Sequence, residues 1–122
     1  MAVKTTVDYT EGLYFITFTR HDWLSLFEIT NSHYTVYKWF DHLKSNKHFV
    51  KAYVIMPNHL HVLIDFSNSS KSINTIIGNG KRFMAYTIVE RLKELNKIDI
   101  LKQLSEAVST SDKDKGKIHK VF

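Results

Sequence analysis

The chain has 122 residues, of which 43% are hydrophobic and 24% charged, and this size and composition fit one globular domain and exclude a disordered chain. Seventeen Lys and Arg against twelve Asp and Glu give a net charge of +5, which favours polyanionic partners, nucleic acid ahead of an anionic membrane. Cysteine is absent, which excludes disulfides, thiolate chemistry and cysteine-ligated zinc.

The first half of the chain predicts a strand and then a helix. Residues 13–19, LYFITFT, are aromatic and β-branched and predict a buried strand. After a loop at residues 20–22, either Asn31 or Ser32 can cap a helix that ends around Asn46. The apolar residues of this helix recur at threefold spacing. They are Tyr34, Tyr37, Phe40 and Leu43.

A hairpin and a long helix are predicted next. Residues 49–56 and 59–66 predict two strands, and the Pro57-Asn58 turn between them indicates that they pair. After a polar loop, Ser72 can cap a long amphipathic helix. The apolar stripe of that helix comprises Ile73, Ile77, Met84, Ile88 and Leu95.

The end of the chain is less regular. We expect Gly78 and Gly80 to weaken the long helix locally. A polar segment of mixed charge at residues 109–117 predicts a loop or linker. The apolar pattern restarts at residues 118–122 and stops at once, which is typical of a chain cut within a larger protein. Before that loop, a shorter amphipathic helix is predicted from Ile100, Leu104 and Val108.

The order strand, helix, strand, strand, helix, helix predicts a single domain over residues 1–122. We expect an α+β fold in which helices pack on one face of an antiparallel, ferredoxin-like sheet. Residues 1–14 contain no apolar signal-peptide core, and no stretch reaches the ~20 apolar residues of a membrane span. We therefore expect an intracellular protein without a membrane partner.

Two histidines lie two residues apart in the third predicted strand. Because a strand has a period of two, His59 and His61 face the same side while Leu60 and Val62 face the other. Two adjacent imidazoles can form half of a divalent metal site. Seven histidines in 122 residues give roughly 0.4 such pairs by chance, so two partly solvated histidines remain the alternative interpretation.

Tyr86 lies nearly opposite the apolar stripe of the long helix, at 100° per residue. Its neighbours on that face are charged. Glu90 follows one turn later and could supply a third metal ligand. The alternative is a surface ion-pair cluster of Glu90 with Lys93 or Arg82.

Three segments of the chain resemble the HUH single-tyrosine transposases, which include the REP-associated tyrosine transposases of bacteria. Residues 52–66, AYVIMPNHLHVLIDF, resemble the strand-turn-strand core of that family. Residues 81–92, KRFMAYTIVERL, resemble its helix with the nucleophilic tyrosine, and residues 13–19 resemble its first strand. The resemblance covers roughly residues 13–96, and its MPNH-x-H element is specific.

The resemblance implies an enzyme that cuts and rejoins single-stranded or hairpin DNA. His59 and His61 would bind Mg²⁺ or Mn²⁺, Glu90 would be the third ligand, and Tyr86 would form a 5′-phosphotyrosine and a free 3′-hydroxyl. Asn58 matches the family motif as a turn former rather than as a ligand. The family further implies a homodimer in the bacterial cytoplasm, associated with the nucleoid. Because Tyr86 faces away from the core side of its helix, two arrangements stay open: Tyr86 meets the histidines of its own chain or those of a second subunit.

Basic residues around the long helix are candidate phosphate contacts. They are Lys71, Lys81, Arg82, Arg91 and Lys93. Two other functions stay open: a nucleic-acid-binding relative that no longer cuts, and a metal-dependent hydrolase that uses water while Tyr86 is structural. A purely structural protein explains none of the spacing.

Overall fold

A three-stranded antiparallel sheet forms the centre of the part of the chain that the computed structural model describes, residues 11–19, 24–108 and 119–122. Its strands are β1 (Gly12–Thr19), β2 (Phe49–Met56) and β3 (His59–Phe66). The order β1-β3-β2 places β3 in the middle, antiparallel to both neighbours. The expected loops at residues 20–22 and 109–117 lie outside the described residues.

Four helices occur in the same described ranges and pack against the sheet. They are α1 (Leu26–Thr30), α2 (His33–Ser45), α3 (Ile73–Glu94) and α4 (Ile98–Glu106). The Phe18 ring on β1 contacts Trp39 of α2 at 5.4 Å between centroids, and the Lys81 ammonium of α3 lies 5.5 Å from the same ring. Both long helices therefore cover the same face of the sheet. The α+β prediction is confirmed, and the fold is compatible with a ferredoxin-like one.

Successive side chains of β3 face opposite sides of the sheet, and those on one side form part of the hydrophobic core. Leu60, Val62, Ile64 and Phe66 are buried against the helices. The residues between them face the other side and are half-buried. We call that second side of the sheet the open face; on β3 it carries His59, His61, Leu63 and Asp65.

The bounds of the two hairpin strands and the start of the long helix agree with the sequence. β2 and β3 have the predicted bounds, because Pro57-Asn58 forces the turn between them. The Ser72 hydroxyl accepts a hydrogen bond from the Thr75 N–H at 3.2 Å, which caps α3 as predicted. Ser32 precedes α2, but its side chain makes no capping hydrogen bond.

The buried face of α2 differs from the predicted stripe. Val36, Trp39 and Leu43 are buried, whereas Tyr34 and Tyr37 are 43% and 46% exposed. Burying a tyrosine requires a partner for its hydroxyl, and Val36 and Trp39 supply apolar area without that demand. The Tyr37 ring instead lies at the surface of the sheet beside Tyr53.

Two further expectations about helices were incomplete. α1 has only five residues and therefore no periodic pattern to reveal it. Leu95 is 40% exposed because α3 ends at Glu94 and Leu95 caps it, so its place in the apolar stripe was wrong.

Val121 is buried and the Phe122 ring contacts Phe18 at 5.8 Å, so the apolar pattern near the end of the chain belongs to this core.

Gly80 marks the closest approach of α3 to α2. α3 runs unbroken through Gly78 and Gly80. A Cβ atom at position 80 would overlap the indole ring of Trp39, while one at position 78 would meet nothing within 4 Å. The absence of a side chain at Gly80 is therefore what lets Trp39 pack against the helix.

We predict opposite effects for the two glycines. Gly80→Ala should lower the free energy of unfolding by about 2 kcal/mol because it overpacks the contact with Trp39. Gly78→Ala should raise it by about 0.5–1 kcal/mol because alanine favours an exposed helix position. Urea denaturation of both variants measures the difference, and equal effects would contradict the packing described.

A buried histidine links the start of β2 to the end of β3. The Ser67 N–H donates to His48 Nδ1 at 3.1 Å, and the ring packs on Phe66 at 5.5 Å. His48 is 3% exposed. Burial lowers the pKa of His48, and the neighbouring His42 lowers it further. The fold therefore disfavours the protonated form of this imidazole.

We predict that acid weakens the fold through this residue. Because the pKa of His48 is lower in the fold than its ordinary 6.5, the unfolded chain binds more protons and stability falls as the pH drops below 6.5. Burial also lowers the pKa of His119, which adds to the effect. His48→Gln, which keeps an acceptor for Ser67, should flatten the decline of unfolding free energy between pH 7.5 and 5.5. An unchanged slope would show that His48 does not contribute.

Candidate functional site

The two histidines of β3 lie side by side on the open face. Their ring centroids are 5.5 Å apart and the ring planes differ by 16°. Two imidazoles that share one ion through nitrogens at ~2.1 Å have ring centres roughly 5 Å apart. The side-by-side placement that the strand period predicts is present. The centroid spacing is close to this value, and the stacked, nearly parallel rings would have to turn for both nitrogens to point at one ion.

His59 is oriented by its neighbour in the turn. Asn58 Oδ1 lies 2.7 Å from His59 Nδ1. An amide oxygen only accepts, so Nδ1 carries the proton and the lone pair of the neutral ring is on Nε2. The sequence predicts Asn58 as a turn former. The structure adds a second role for it, because its hydrogen bond to Nδ1 orients the ring and leaves the lone pair on Nε2.

His61 is held by residues of the neighbouring strand. Thr17 on β1 is its pairing partner in the sheet, and the Thr17 Oγ1 atom lies 3.0 Å from His61 Nδ1. The Phe15 ring stacks on the His61 ring at 5.9 Å. These two residues were missed in the sequence because they depend on the register between β1 and β3, which no local pattern specifies.

The surroundings of the pair on the open face are apolar. Val54 pairs with His61 and Met56 with His59 from the β2 side. Several of the large apolar side chains there are strongly exposed, including Leu13 at 59% and Val54 at 56%. Among the described residues, no group of three or more His, Asp or Glu could hold a metal ion. Within them the pair offers two candidate donor nitrogens.

Tyr86 and Glu90 lie on a different surface. Tyr86 is 67% exposed and points away from the buried side of α3, as its position in the sequence predicts. Glu90 lies 3.6 Å from the Lys93 ammonium, which is the ion pair of the alternative interpretation. Because α3 packs on the face of the sheet opposite the histidines, one chain does not bring Tyr86 or Glu90 to the pair within the described residues.

The basic residues predicted to contact phosphate differ in whether their side chains already contact other residues of the chain. Arg91 donates to the Thr30 carbonyl at 3.1 Å and pairs with Glu94 at 2.7 Å, so it joins α3 to α1. Lys93 pairs with Glu90, Arg82 contacts Asn79, and the Lys81 ammonium lies over the Phe18 ring. The exposed Lys71 ammonium has no partner among the described residues.

Comparisons of the chain with protein-family models, with curated proteins and with solved structures find no match. None of the helices in the described part of the chain is long and apolar enough to span a membrane.

We predict that His59 is protonated on Nδ1 at pH 8, because Asn58 Oδ1 can only accept. Two-bond ¹H–¹⁵N correlation spectra of the imidazoles distinguish this tautomer from the more common one protonated on Nε2. Asn58→Ala should shift His59 toward the Nε2–H form and leave His61, which Thr17 orients, unchanged. An Nε2–H tautomer of His59 in the wild-type protein would contradict the proposed orientation.

Proposed function

We propose that the protein is an HUH-type enzyme that cuts and rejoins single-stranded DNA through a covalent tyrosine intermediate. The observation that carries the proposal is the pair His59 and His61, side by side on the open face and each held by a polar partner. Orientation of both rings by Asn58 and Thr17 is typical of histidines that bind an ion and is not needed for solvated ones.

The resemblance implies Mg²⁺ or Mn²⁺ in a site with open positions, to which Glu90 would add the kind of oxygen ligand that these ions prefer. His59 and His61 would hold the ion, and Glu90 of the partner subunit would be the third ligand, because α3 of the same chain lies on the other side of the sheet. A bound divalent cation would polarise the scissile phosphate and offset the charge that develops in the transition state. Asn58 keeps the lone pair of His59 on Nε2, so this ring needs no change of tautomer to bind an ion.

Tyr86 would be the nucleophile. Its phenolic oxygen forms a bond to phosphorus and loses its proton to water, while the bond from phosphorus to the 3′ oxygen breaks. The 3′ oxygen keeps the electron pair and takes up a proton. The product is a 5′-phosphotyrosine with a free 3′-hydroxyl, and attack by another 3′-hydroxyl rejoins the strands without ATP. The exposure of Tyr86 supports this role, because the phenol is accessible to a strand.

The open face supports binding of unpaired bases. Phe15 and Phe49 are 40% and 42% exposed on the two outer strands, on either side of β3. Aromatic rings on a sheet provide surfaces on which bases stack without sequence preference. The net charge of +5 adds attraction for the phosphates.

Two subunits are needed to complete the site under this proposal. The histidines and Tyr86 lie on opposite sides of the sheet in one chain, so the Tyr86 of a second subunit would attack at the histidines of the first. A homodimer with two such shared sites is the arrangement that the placement favours. The same placement also favours the second candidate, a nucleic-acid-binding protein that does not cut.

Covalent attachment separates the two candidates. With a labelled single-stranded hairpin DNA and Mn²⁺, we expect the wild-type protein to form an adduct that survives a denaturing gel. Tyr86→Phe should abolish it, because the substitution removes only the attacking oxygen, and should leave DNA affinity within about twofold. A binding protein that does not cut gives no adduct in either form.

Mixing inactive variants tests the shared site. Tyr86→Phe and the double variant His59→Ala/His61→Ala should each be inactive, and their mixture should regain roughly a quarter of the wild-type adduct, because half of the dimers are mixed and each holds one complete site. Co-purification of differently tagged chains verifies that subunits exchange. Mixed dimers without activity, beside an active wild-type dimer, would show that the site forms within one chain.

A further inference from the structure

A cavity of about 350 Å³ lies on the helical side of the sheet, away from the histidine pair. We call it the α2–α3 cavity. It is bounded by the second half of α2, the turn between α2 and β2, the connection from β3 to α3 and the first turns of α3. Its volume is in the range of small-molecule sites.

The wall of the α2–α3 cavity is basic. Lys38, His42 and Lys71 line it and are all exposed, and no Asp or Glu is among the described residues of the wall. The Lys71 and His42 side chains form no ion pair or hydrogen bond within the described residues. Among the described residues, the Lys38 ammonium lies over the Tyr34 ring, 5.3 Å from its centroid. Three cationic or protonatable groups around an opening without a carboxylate favour an anionic ligand.

A buried donor adds a directional feature. His48 lines the same cavity and is 3% exposed. Its Nδ1 accepts from the Ser67 N–H, so the neutral ring carries its proton on Nε2. That N–H has no hydrogen-bond partner among the described residues. A buried donor without an acceptor is costly, and an acceptor oxygen of a ligand would remove that cost.

Aromatic area completes the wall. Phe83 is 42% exposed and lines the cavity, while the buried Trp39 forms part of its apolar lining. A site that binds only phosphate would not need an exposed aromatic ring beside its cationic side chains. The combination of basic groups, a buried donor and a ring that a base can stack on is typical of nucleotide recognition.

We propose that the α2–α3 cavity binds a nucleotide, with the phosphate at Lys38, His42 and Lys71, an acceptor atom at His48 Nε2–H, and the base against Phe83. The nucleotide is either a free mononucleotide or one unit of a DNA strand, and both present the same chemistry. The site is separate from His59 and His61, so it does not depend on cleavage. It also gives Lys71 a defined role as a phosphate contact.

The test uses the full chain carrying Tyr86→Phe, so that cleavage cannot interfere. Isothermal titration calorimetry with inorganic phosphate, dAMP and a single-stranded hexanucleotide measures affinity. Lys38→Gln/Lys71→Gln should weaken the nucleotide ligand about tenfold or more, because it removes two cations of the cavity. The control Lys44→Gln/Lys97→Gln removes the same net charge from exposed positions that do not line the cavity, and should change affinity less than about threefold.

The base is tested at Phe83. Phe83→Ala should remove most of the preference for dAMP over inorganic phosphate, and its effect on phosphate alone should be small. Binding of dAMP with this pattern identifies a mononucleotide site. Binding of the hexanucleotide alone, with the same dependence on Lys38, Lys71 and Phe83, identifies a contact to a strand. Equal losses in the lysine variant and its control, or no loss in either, would overturn the proposal.

Discussion

The alternation of side chains along β3 determines on which face of the sheet the candidate histidine pair lies. β3 pairs on both sides, so its backbone is fixed by two ladders, and its four core side chains are completely or almost completely buried under the helices. With one face committed to the core, the period of two holds His59 and His61 on the other face. A shift of one residue in register would bury both histidines and expose Leu60 and Val62. The hydrophobic core therefore positions the histidine pair.

Because of the same arrangement, the candidate functional residues lie on two separate surfaces of the protein. The open face carries the histidines, their partners Asn58 and Thr17, and exposed apolar side chains. The helical side carries Tyr86 and, at another position, the basic α2–α3 cavity. A strand of DNA engaged by both surfaces would have to pass around the edge of the sheet or between two subunits. This separation is why the proposed cleavage needs a second subunit, while nucleotide binding in the cavity does not.

Much of the fold is predictable because its determinants are local. The hairpin bounds follow from Pro57-Asn58, the start of α3 follows from Ser72, and the shared face of His59 and His61 follows from the strand period alone. The buried face of α2 was not predictable from spacing, since Tyr34 and Tyr37 have the correct interval but hydroxyls that favour the surface. Thr17 and Phe15 beside His61, and the meeting of Lys38, His48 and Lys71 at one cavity, depend on tertiary packing. Residues from separate elements give no local pattern from which to infer them.

We propose that the open face of β3 is the functional face and that His59 and His61 share one divalent ion there. Paramagnetic broadening tests it directly: sub-stoichiometric Mn²⁺ is added to ¹⁵N- and ¹³C-labelled protein, and the signal loss is mapped onto the fold. In the wild-type protein we expect the resonances of the open face to broaden first, namely those of His59, His61, Thr17 and Val54. The His59→Ala/His61→Ala protein should show no such loss of signal. Broadening centred on the helical side, or unchanged broadening of the open face in the double variant, would contradict it.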